Sequence, residues 1–137
     1  MHTDWLPPTK AFALAAVLVF FTDWYFFGRP ALHRHFDRFP GVWKKFDGQK
    51  SETRAITLSA LVSFAVCAVF VAAAGWLGVT GLRSALVLAL VFWVAGPLAH
   101  LVTQSMWMNL DRTVAVNHAI GWLVRFVACA VGVAVFL

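Results

Sequence analysis

The chain has 137 residues, 61% of them hydrophobic and 12% charged, with a formal net charge of +5. A soluble domain carries about twice that charged fraction, so a water-soluble globule is excluded and lipid is the natural solvent for the apolar excess. The positive charge is not spread as a nucleic-acid-binding surface would spread it, because seven of the 11 Lys and Arg residues fall between Arg29 and Arg54; no nucleic-acid partner is expected.

The first apolar run covers about Ala11 to Phe27, with one charge, Asp23. Pro7-Pro8 and Gly28-Arg29-Pro30 bracket it. The first basic residue is Lys10, no small-x-small site follows, and bulky Trp24-Tyr25-Phe26-Phe27 stands where a cleavage site would be. The run therefore reads as a retained first span, not a cleaved signal peptide.

Residues 28–54 form a basic connection, read as cytoplasmic. Leu32, Phe36, Phe39, Trp43 and Phe46 recur at helical spacing, with Arg34, Arg38, Lys44 and Lys45 off that stripe. This predicts an amphipathic interfacial segment, broken at Pro40-Gly41. Arg29, Arg34, Arg38, Lys44, Lys45 and Lys50 are then expected to contact anionic lipid head groups, each contributing about 1 kcal/mol. His33 and His35 are two apart and diverge on a helix, so they read as solvated.

Spans two and three, about 55–79 and 84–108, carry no charge. Span four, about 113–137, carries one, Arg125. Each of these three exceeds the ~20 residues needed to cross hydrocarbon. The runs are continuous and do not alternate, which excludes a β-barrel. Gly75 to Gly78 and Thr80-Gly81 predict a tight turn between spans two and three, and Asp111 or Thr113 is a candidate cap for span four. Short links predict an all-α, up-down-up-down four-helix bundle in one transmembrane domain. The basic 28–54 loop and Arg112 oppose only Lys10 and Arg83, so both termini are expected outside a bacterial inner membrane.

Arg125 is the most informative residue. It lies about 18 Å from either end of its span, too deep to reach water. A central Arg costs at least ~2.5–3.5 kcal/mol, so it should face the bundle and find a partner. Asp23 is the candidate. Side chains tilt toward their helix N-terminus, so on oppositely directed spans one and four these two lean toward each other. The pair reads either as a clamp between spans or as the charged lining of a substrate or proton path.

Asp23 and Arg125 stand at different depths, and other polar groups gather in the inner half beneath Arg125. His100 and Gln104 share a face of span three, four residues apart. His118 and Arg125 share a face of span four, and Ser59 and Ser63 stand four apart on span two. Asp23, Ser59, His100, Gln104, His118 and Arg125 are thus the candidate site, in the half of the membrane beneath the basic loop. His100 and His118 are the minimum for bis-His haem or metal ligation, with Asp23 as a third donor. Neutral hydrogen bonding is the plainer use of such histidines, and no cofactor or metal is expected. Cys67 and Cys129 sit singly in apolar runs and read as buried structural thiols. Pro97 after Gly96 is expected to bend span three.

Trp24-Tyr25-Phe26-Phe27-Gly28 and Asn117-His118-Ala119-Ile120-Gly121-Trp122 resemble a family of small bacterial membrane proteins, domain of unknown function 1761. The resemblance implies four spans over most of the chain, with a Trp-Tyr near the end of the first and an aromatic-Gly turn after it. It implies no activity.

Three function classes follow. The first is a pocket-forming ligand-binding or transport-type bundle, expected as a homodimer, with Ala128-x-x-x-Gly132 as a small-residue contact. The second is an accessory or assembly subunit of a larger membrane complex. The third is a haem- or metal-binding redox protein. No nucleophile-base spacing, phosphate loop or metal motif appears, so no catalytic residue is assigned.

Overall fold

The computed structural model describes residues 6–27, 47–108 and 110–137. Within them every regular element is helical, and four helices are long and apolar enough to cross a membrane. These are α1 (Leu6–Phe27), α2 (Gln49–Trp76), α3 (Gly81–Trp107) and α4 (Arg112–Phe136).

Three boundaries differ from the sequence reading for identifiable reasons. Helix α1 starts before Ala11, so Pro7 and Pro8 lie inside its first turn and do not precede it. First-turn N–H groups have no intrahelical acceptor, so proline costs nothing there. Helix α2 starts six residues before Ala55 and takes Lys50 and Arg54 out of the loop and onto its first two turns. The rest of the basic segment, with Arg29, Arg34, Arg38, Lys44, Lys45 and the apolar stripe, lies outside the described residues. Helix α3 begins at Gly81, where a φ of 73° completes a turn that also uses Gly78 at φ 63°. Both are left-handed positions that glycine adopts without a Cβ clash.

Helix α3 is not α-helical throughout. Val94–Leu98 forms a π-helical turn around Pro97, between α-helical Gly81–Trp93 and Ala99–Trp107. Proline has no N–H to donate, and its ring collides with the carbonyl four residues back. The wider turn relieves both conflicts. Just before it, the Trp93 indole Nε1 donates to the Ala119 carbonyl of α4 at 2.8 Å. Helix α4 opens on Asp111, whose carboxylate accepts from the Thr113 amide at 2.7 Å. That settles the choice of cap in favour of Asp111.

Helix α4 is the most buried of the four. Helices α1 and α3 pack mainly on it, and α2 packs chiefly on α1. Small residues make this possible: Gly121, Ala128, Cys129, Ala130 and Gly132 are all buried along α4. Ala11, Ala15 and Val19, spaced by four, form the buried stripe of α1. The next position on that stripe is Asp23, so the register that packs α1 also delivers its one charge to the interface. Phe70, Phe92 and Phe126 close the space between α2, α3 and α4, with ring centroids 5.3–6.0 Å apart.

The Ala128–Gly132 pair is committed inside the molecule. A Cβ added at Gly132 would stand 2.6 Å from the Ala11 carbonyl oxygen and 3.0 Å from the Ala15 Cβ. The close approach that the motif permits is therefore made between α4 and α1. It does not leave that surface for a second copy.

Candidate functional site

Asp23 and Arg125, 102 residues apart in sequence, meet in the bundle. Arg125 Nη2 and Nε donate to the same oxygen of Asp23, Oδ1, at 2.7 and 3.0 Å. The other oxygen, Oδ2, accepts from the Ser63 hydroxyl of α2 at 2.6 Å. Ser63 Oγ also lies 3.0 Å from the Ser59 carbonyl. A hydroxyl has one proton to give, and the shorter contact is to the carboxylate, so the charged acceptor holds it. The Trp122 ring of α4 lies under the guanidinium, with Arg125 Cζ 4.0 Å from its centroid. This face contact is a cation–π interaction, strongest where water is excluded.

The Arg125 side chain is 6% exposed and that of Asp23 is 21% exposed. Each charge is held by its counter-charge and by further polar or aromatic groups. That is the condition under which an ion pair persists in a low-dielectric interior. Helices α1, α2 and α4 thus meet at a single carboxylate.

No family model, curated protein or solved structure matches this chain.

The remaining candidates fall differently. Ser63, not Ser59, is the α2 partner of the carboxylate, and Ser59 is exposed on the helix surface. The two are four residues apart, but the tighter helix contact is at Ser63, one turn before buried Cys67. His100 is exposed on α3, beyond the π-helical turn, in a stretch with no buried residue. Gln104 on α3 and His118 on α4 are half-buried. The structure brings Asp23, Ser63, Trp122 and Arg125 together in one unit.

Among the described residues, no three His, Cys, Asp or Glu side chains gather in a metal-binding group. Two open grooves lie at helix starts, one beside Lys50, Thr53 and Arg54 on α2 and one beside Thr80, Arg83 and Val87 on α3. Neither is lined by Asp23 or Arg125.

The structure also reveals a contact that the sequence reading missed. Cys67 and Cys129 are both wholly buried, and Cys129 Sγ lies 3.6 Å from Cys67 Sγ. Each follows a clamp residue, Ser63 or Arg125, by four positions, and so shares its helix face.

Proposed function

We propose that this chain is an accessory or assembly subunit of a larger membrane complex, with the Asp23–Arg125 pair serving as its internal clamp. The observation that carries this reading is the saturation of the pair. Both carboxylate oxygens are engaged, the guanidinium is packed on Trp122, and the Trp122 ring lies in turn against Phe126. A binding pocket keeps a few polar groups free to meet its ligand, whereas these groups are spent on one another.

In this reading the helices run up-down-up-down in a bacterial inner membrane, with both termini outside. The basic segment, including Lys50, rests on anionic head groups of the cytoplasmic leaflet. The likeness to domain of unknown function 1761 is kept on Trp24-Tyr25 and Asn117 to Trp122. The apolar outer faces of α2 and α3 meet lipid or a partner subunit. Gentle extraction of the tagged chain from its native membrane, followed by native-gel migration, tests the reading. Co-migration with partner chains in fixed stoichiometry is expected. Migration of the chain alone or as a homodimer overturns it.

One observation favours the ligand or transport reading. A fifth of the Asp23 side chain stays open at the edge of the clamp, as a charged path lining would require. Labelling of Asp23 by a water-soluble carbodiimide in the folded protein supports that reading, and complete protection counts against it.

A further inference from the structure

The Cys67–Cys129 contact lies outside the clamp and is unused by it. We infer that these two thiols are an intramolecular disulfide site joining α2 to α4, with a peroxide as oxidant. A disulfide bond is about 2.05 Å long. The sulfurs start 3.6 Å apart, so bond formation requires a further approach of about 1.5 Å.

Both cysteines are wholly buried, so bulky or charged disulfide reagents do not reach them. A peroxide is small and uncharged and enters hydrocarbon. One cysteine sulfur attacks a peroxide oxygen, forming an S–O bond and breaking O–O. The departing hydroxide leaves as water with that thiol's proton. The second sulfur then attacks the sulfenic sulfur, forming S–S and breaking S–O. A second water leaves with the second thiol's proton. Two thiols lose two electrons in total, and one peroxide becomes two waters.

The geometry governs the second step. A sulfenic acid that survives proceeds irreversibly to sulfinic acid under further oxidant. Here the resolving thiol is already in van der Waals contact, near the ~3–3.5 Å separation of a reactive pair. Capture therefore precedes over-oxidation. The clamp sets this contact, since Ser63 and Arg125 stand one turn before Cys67 and Cys129 on the same faces. Oxidation places a covalent tie across the α2–α4 seam.

The test treats the full chain in lipid nanodiscs with hydrogen peroxide and reads linked peptides by mass spectrometry. Exposed Met106 reports that oxidant reached the protein. The expected result is a product lighter by two hydrogens, with the Cys67 and Cys129 peptides joined. Cys67→Ser and Cys129→Ser each remove the link and retain native migration. Free thiols beside an oxidised Met106 overturn the inference, and so does oxygen added to either cysteine without a link.

Discussion

Arg125 places two nitrogens on one oxygen of Asp23 and leaves the other oxygen to Ser63. The division is not the parallel fork of a typical Arg–carboxylate pair. One carboxylate from α1 is shared between a cation on α4 and a hydroxyl on α2, so three helices are indexed to a single side chain. An ion pair alone would fix two helices. The hydroxyl makes the register of the third depend on the same charge.

Removing both partners should therefore cost less than the two single losses added together. Arg125→Leu leaves a carboxylate without its cation, and Asp23→Asn leaves a guanidinium that cannot lose its charge. Each single change should destabilise the protein by about 3 kcal/mol, within the range for a broken buried pair. The double change Asp23→Asn with Arg125→Leu leaves no charge and should cost less than the sum. Reversible unfolding in mixed micelles measures the cycle, and strictly additive losses would refute an energetic pair.

The hydroxyl contribution is separable from the charge. Ser63→Ala removes the bond to Oδ2 and should cost about 1.5–3 kcal/mol, the usual value for a hydrogen bond to an ionised group. Ser59→Ala, one turn away on the exposed surface, should stay within about 0.5 kcal/mol of wild type. Equal effects at the two serines in the same unfolding assay would show that the carboxylate does not depend on Ser63.

The contrast between these serines shows what the sequence could convey. Four apolar runs, a charge too deep to reach water and one available counter-charge predicted four membrane-length helices and singled out the pair. Depth follows from counting residues, because helical rise is fixed. Azimuth does not, since it depends on how helices rotate to pack small residues. The Ala11–Ala15–Val19 stripe sets α1, and the Gly132 contact sets α4. Ser59, Ser63 and His100 were at plausible depths, yet only Ser63 faces the clamp. The meeting of Cys67 with Cys129 was hidden for the same reason.

Trp93 joins α3 to α4 immediately before the π-helical turn. Trp93→Phe keeps most of the apolar ring and removes the N–H donor to Ala119. The Ala119 carbonyl keeps its own helical donor, so nothing is left unsatisfied. The expected cost is about 1 kcal/mol, typical of one interhelical hydrogen bond in a membrane protein. A loss above about 3 kcal/mol would mean that the indole does more than donate this bond.

Gly132 gives the sharpest steric prediction, because the obstacle is backbone. A Cβ there would lie 2.6 Å from the Ala11 carbonyl oxygen and 3.1 Å from the Ala15 amide nitrogen. Neither can rotate away as a flexible side chain would, so α1 must move off α4. Gly132→Ala should therefore destabilise by about 1–3 kcal/mol, the usual cost of overpacking. It should also weaken the clamp, since Asp23 lies on the same face of α1. Gly75 is also helical but has open space around its would-be Cβ. Gly75→Ala should gain about 0.5–1 kcal/mol from reduced chain entropy. Thermal unfolding of the two variants in one detergent should thus shift in opposite directions. If Gly132→Ala were neutral or stabilising, the close contact of α1 with α4 would not hold.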